Sequence, residues 1–263
     1  MRIRTLSAAV LTLALLGCSS SDELVADIGD LSSNYLILDL TSGTRTTASA
    51  VPDLATNSAY RDDQMVFRRV EVGSGAAWVA VFEVTQGQWT RIAGTTPWTA
   101  IPSALVGKAA VGTKLPAFNI SYEEVAAVID GWNAGRSLRL DVPTDSEWNA
   151  AAGVATWSWG SAGDRPTVEA NAVVYETAVL YKAQDGTTGP LAVGAKAANA
   201  RGFYDLTGNL WEWTLPGAAV RGGSWHDPLS AAITANRVGV QDGGIDSLSS
   251  HALVGVRLAV RLP

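Results

Sequence analysis

The stretch Gly202-Phe203-Tyr204-Asp205-Leu206-Thr207-Gly208-Asn209-Leu210-Trp211-Glu212-Trp213-Thr214 follows no sustained helical or strand period. Glycine, asparagine, aspartate and tryptophan punctuate it, as they do the chain from Ala152 onward, which predicts irregular loop held by packing and specific polar contacts. Gly208 permits a tight turn in its middle. Trp211 and Trp213 read as core aromatics. Taken alone, Asp205 and Glu212 read as groups that cap turns and bond the backbone.

Working outward, order increases on both sides. Upstream, residues 35–38 and 65–72 read as strands. Residues 76–84 alternate, with Trp78, Ala80, Phe82 and Val84 on one face and Glu83 on the other. Three helix starts carry the reciprocal pattern in which an N-cap hydroxyl and a residue three positions on satisfy each other's free N–H: Thr85 with Gln88, Ser121 with Glu124, Thr144 with Glu147. The second predicts the clearest helix, with Val125, Val128, Ile129 and Trp132 at i, i+3, i+4 and i+7 and Gly135 as its stop. A strand-like run, 138–143, separates it from the third. Downstream, Val254, Val256, Leu258, Val260 and Leu262 alternate with Gly255, Arg257, Ala259 and Arg261, which predicts a strand with one buried face.

The 263 residues include one cysteine, two histidines and ten tryptophans, and the formal net charge is −6. Scattered Lys and Arg in an acidic chain argue against nucleic acid as a partner, because phosphate backbones need clustered cations. At the start, Arg2 and Arg4 precede an apolar run that ends Leu15-Leu16-Gly17-Cys18. That run is about ten residues, half of what a membrane-spanning helix needs. It reads as a lipoprotein signal peptide, 1–17, cut before Cys18, where a lipid would anchor the mature chain to the membrane of the cell envelope; an ordinary secretory signal with an incidental cysteine is the alternative. Ser19 after the cysteine favours the outer membrane if the source is Gram-negative. Residues 18–33 read as a lipidated tether and 34–263 as one domain.

Several segments, in order, carry a resemblance to a known family: Phe82-Glu83-Val84-Thr85-Gln86-Gly87-Gln88-Trp89, Val142-Pro143-Thr144-Asp145-Ser146-Glu147-Trp148, Trp157-Ser158-Trp159-Gly160, the stretch quoted first, Arg221-Gly222-Gly223-Ser224-Trp225, and Gly255-Val256-Arg257. Together they resemble the formylglycine-generating-enzyme, or sulfatase-modifying-factor, family. The resemblance implies an α+β fold, a loop-rich variant of the C-type lectin fold. It also implies two calcium sites. One would use the Asn171 side chain, the Ala172 carbonyl, Asp185 and the Thr187 carbonyl; the other Asp205, the carbonyls of Gly208 and Leu210, and Glu212. Calcium takes six to eight oxygens and suits the pinning of irregular loops.

The family's formylglycine-forming members hold copper with two cysteines shortly after the Gly-Gly-Ser-aromatic motif. The matching stretch here begins His226-Asp227-Pro228 and contains no cysteine. Without thiolates for a soft metal, formylglycine-generating activity and a transition metal are not expected. The reading that follows is a binding or structural module for a protein, peptide or glycan ligand, on a calcium-stabilised scaffold. Trp225, His226, Asp227 and His251 are its candidate ligand contacts, because the Gly-Gly and Ser-Ser pairs of region 226–251 suit loops presented for contact. The alternative is a non-haem iron oxidoreductase with His226, Asp227 and His251 as the two-histidine, one-carboxylate set.

Overall fold

Strands form where alternation predicts them, and pairing register decides which face is buried. In the computed structural model, residues 33–101, 111–153, 189–228, 236–239 and 243–262 are described. β1 (Tyr35–Asp39), β2 (Arg45–Ala48), β3 (Gln64–Val72), β4 (Gly75–Ala80), β5 (Arg139–Asp141) and β10 (Ala259–Arg261) form an antiparallel sheet in the order β2-β1-β3-β4-β10-β5. Leu36 pairs with Phe67 and Leu38 with Met65, so these four stack on the core face. A second sheet contains β6 (Trp211–Thr214), β7 (Ala219–Arg221), β8 (Arg237–Gly239) and β9 (Val254–Gly255) in the order β8-β7-β6-β9. Only β6 and β9 run parallel within it.

All three expected helix starts are closed by reciprocal bonds. α1 (Gln86–Ala93), α2 (Tyr122–Asn133) and α3 (Asp145–Ala152) are capped by Thr85, Ser121 and Thr144. In α3, for example, the Glu147 N–H donates to Thr144 Oγ1 at 3.2 Å and the Thr144 N–H to Glu147 Oε2 at 2.7 Å. Substituting such a cap costs about 1 kcal/mol. α2 buries Val125, Ile129 and Trp132 in the main core beside Phe118, Trp213 and Trp225, whereas Val128 is only partly buried. Trp148 of α3 closes a smaller cluster with Phe203 and Leu206.

Two expectations change. The strand predicted over 254–262 is divided between the sheets: β9 ends at Gly255, and β10 begins at Ala259. Between them Val256 accepts from the Val84 N–H at 2.9 Å and Leu258 from the Ala80 N–H at 2.8 Å. Every residue from Val254 to Val260 is buried, so no solvent face exists, and Arg257 is 0% exposed. Glu83, placed on the face opposite the apolar residues, is likewise buried, at 1% exposure. Gly255 lies so close to its neighbours that a Cβ there would be 2.5 Å from the Ala117 carbonyl oxygen.

Candidate functional site

The loop before β6 is built from backbone conformations that only a few residues tolerate. Asp205 and Asn209 both adopt φ of 60° and Gly208 a φ of 83°, the left-handed region that favours glycine, asparagine and aspartate. The loop turns its polar side chains inward. The Asn209 amide donates to Glu83 Oε2 and accepts from the Leu191 N–H at 3.0 Å. Glu83 Oε1 accepts from the Leu210 N–H at 3.0 Å. Glu212, at 0% exposure, takes a forked pair from Arg257: Nη2 to Oε1 at 2.7 Å and Nε to Oε2 at 3.0 Å. Arg257 Nε also approaches Oε1 at 3.2 Å, and Trp148 Nε1 donates to Oε2 at 2.7 Å. The rest of the guanidinium reaches the Ala80 carbonyl at 2.9 Å and the Tyr204 carbonyl at 2.8 Å.

Electrostatics follow from burial. Glu83 is pushed well above the usual carboxylate range by desolvation, with repulsion from Asp205 and Glu212 adding to it. Burial also raises Asp205, to about 6, although the Gly194 N–H bond at 2.7 Å and Arg257 oppose the rise. Desolvation works against the charge of Arg257, but Glu212 outweighs it and holds the guanidinium pKa above its ordinary value.

The second implied calcium set therefore comes together only in part. Asp205 Oδ1 is buried with no partner among the described residues. Glu212, however, is already engaged by three N–H groups, Arg257 Nε and Nη2 and Trp148 Nε1, with Nε shared between its two oxygens. The first set, Asn171, Ala172, Asp185 and Thr187, lies outside the described residues, as do Cys18 and the segment Trp157-Ser158-Trp159-Gly160. Among the described residues, no group of three or more His, Cys, Asp or Glu is arranged to hold a metal ion.

An open cavity of about 680 Å³ lies beside the second sheet. Its apolar wall comprises Trp211, Val220, Val238, Ile245, Leu253 and Val254. Asp246, Ser249, Ser250 and His251 supply polar groups, with Gly243 and Gly244 completing the lining. Trp211, expected in the core, is only half-buried and forms part of this wall. Its parallel pairing with Val254 brings the two together from distant parts of the chain.

The four expected ligand contacts have different roles. His251 lines the cavity; its Nδ1 accepts from the Leu253 N–H at 3.1 Å, which places the proton of the neutral ring on Nε2. Asp227 does not line the cavity. Its Oδ2 accepts from Trp211 Nε1 at 2.8 Å, the Ser224 N–H at 2.9 Å and Ser224 Oγ at 2.6 Å, fixing the edge of the Trp211 ring. Trp225 is buried in the main core, with exposed His226 packed edge-on at 5.3 Å between ring centroids. Trp211, Ile245 and Asp246 line the cavity and were not among the expected contacts. The Gly243-Gly244 and Ser249-Ser250 pairs marked the region without identifying its side chains.

With this geometry in hand, a model of the sulfatase-modifying factor enzyme 1-like domain matches residues 55–262. The formylglycine-generating enzyme of Mycobacterium tuberculosis is 34% identical over 104 residues, which cover 38% of this chain and 32% of the relative. That of Thermomonospora curvata is 30% identical over 133 residues, covering 49% and 41%. The matched parts thus span well under half the length of these relatives. Among solved structures, Treponema denticola variable protein 1 superposes with a TM-score of 0.60 at 18% identity, covering 75% of this chain and 95% of that one. PvdO from Pseudomonas aeruginosa gives 0.55 at 17% identity, covering 76% and 94%. At such identities these two structures are likenesses of fold alone.

Proposed function

The chain belongs to the sulfatase-modifying factor enzyme 1-like domain family and carries its loop-rich lectin-like fold, and from that premise we propose that it is an extracytoplasmic ligand-binding module, tethered through a lipid on Cys18. The observation that carries the binding role is the Trp211 cavity. An aromatic wall held at its edge by Asp227, aliphatic neighbours and a few polar groups from one loop region match the general chemistry of small-ligand and side-chain recognition. The only cysteine of the chain is Cys18, so the region that follows Gly-Gly-Ser-Trp has no thiolate for copper, and formylglycine formation is not part of the proposal.

Glycan and peptide libraries probed with the full mature chain test this reading. A ligand class retained by the wild type and lost on Ser250→Trp, which fills the cavity, supports it; binding indifferent to that change refutes the assigned site. Cys18→Ala tests the tether, since the variant should incorporate no labelled fatty acid.

A second reading, a non-haem iron oxidoreductase, draws support from family membership alongside formylglycine-generating enzymes. It requires His226, Asp227 and His251 to share an ion. Stoichiometric iron that disappears on His251→Ala would favour it over the binding module.

A further inference from the structure

A carboxylate that ligates calcium must direct lone pairs at an ion that collects six to eight oxygens at about 2.3–2.6 Å. Glu212 has little left to direct, since Arg257 Nε and Nη2 and Trp148 Nε1 already donate across both of its oxygens, with Nε shared between them. A divalent ion at the same oxygens would also meet the guanidinium across a buried, weakly screened gap, where like charges repel strongly. Glu83 is engaged as well, its two oxygens accepting from the Asn209 amide and the Leu210 N–H. That leaves one Asp205 oxygen as the uncommitted carboxylate atom of the group.

We infer that the guanidinium of Arg257, and not a calcium ion, is the cation that neutralises Glu212 and pins the loop before β6. The planar fork does mechanically what a metal would do. It ties Ala80 at the end of β4, Tyr204 in the loop and Glu212 in β6 into one rigid node, and Trp148 of α3 joins through the same carboxylate. Arginine suits this role because its five donors lie in one plane and it stays protonated when buried. The position implied as the second calcium site is then a metal-free ion pair, whatever the set at Asn171, Ala172, Asp185 and Thr187 binds. This inference is independent of the ligand proposed for the Trp211 cavity.

Calcium stoichiometry decides it. The full mature chain, equilibrated with saturating calcium and freed of unbound ion, is analysed by elemental mass spectrometry beside Glu212→Ala and Asp205→Ala. The expected result is the same number of calcium ions per chain in all three proteins. One ion fewer in either variant overturns the inference. If Glu212→Ala does not fold, Asp205→Ala still decides, because it leaves the Arg257–Glu212 pair in place while removing the other implied side-chain ligand. Terbium substituted for calcium supplies a second readout: an ion on Glu212 would lie beside the Trp148 indole. Equal sensitised emission from wild type and Trp148→Phe is expected, and a marked drop in the variant overturns the assignment.

Discussion

Replacing Arg257 by methionine keeps an unbranched apolar stem in the core while deleting the guanidinium. It leaves Glu212 buried, with Trp148 Nε1 as its remaining side-chain donor, and strips one partner each from the Ala80 and Tyr204 carbonyls. Removing one member of a buried ion pair costs about 3–5 kcal/mol, because the surviving charge is desolvated without compensation. Taking about 5 kcal/mol, with the two carbonyls adding to the pair, the loss is between a third and all of the ~5–15 kcal/mol that stabilises a typical domain. For a domain of this size that is a fall in Tm of roughly 10–20 °C. Urea unfolding followed by tryptophan emission, together with a thermal scan, measures it. The control is the double variant Arg257→Met with Glu212→Gln, which removes the stranded charge and should recover at least ~2 kcal/mol relative to additivity. A loss below about 1 kcal/mol in the single variant, or strict additivity in the double, refutes the ion-pair argument.

Three further outcomes are expected. Asp227→Ala releases the Trp211 indole N–H and two bonds to Ser224; it should cost about 1.5–3 kcal/mol and shift the Trp211 indole resonance, and an unmoved resonance would show that Asp227 does not hold the ring. Asp145 lies below its ordinary value of 3.8: burial alone would raise it, but bonds from Arg221, Thr214 and Arg237 outweigh that. Its contribution is therefore complete above pH 3.8 and lost as pH falls through the lower native value. Asp145→Asn should flatten the acid limb of the Tm–pH curve, and an unchanged limb counts against the pairing. Gly255→Ala places a methyl 2.5 Å from the Ala117 carbonyl oxygen and 2.7 Å from Leu210 Cδ1, which should destabilise by about 1–3 kcal/mol in denaturant titration; a neutral result would mean that the two segments separate freely.

Local rules carried much of the fold. The three capping boxes were legible because each is decided within four residues by backbone donors that must find partners, and all three close as expected. The ordered motifs from Phe82 to Arg257 pointed to the lectin-like architecture. The Gly-Gly and Ser-Ser pairs lie in the lining of the cavity, but its apolar wall was not legible from them.

Only tertiary structure decided which polar side chains serve the core and which face the cavity. Alternation over 254–262 is the same whether a strand has one wet face or crosses between two sheets; the crossing buries Arg257, and the charge is tolerable there because Glu212 arrives from β6. Trp211 and Trp213 differ by two positions and share a side of β6, yet Trp213 is sealed against Ile120 while Trp211 meets the open cavity. Asp227, a candidate ligand contact, holds the ring that makes the wall. Those outcomes depend on partners far away in the chain. A residue's type states what it must satisfy; the folded neighbourhood determines whether the satisfying group is another side chain, a metal or a ligand.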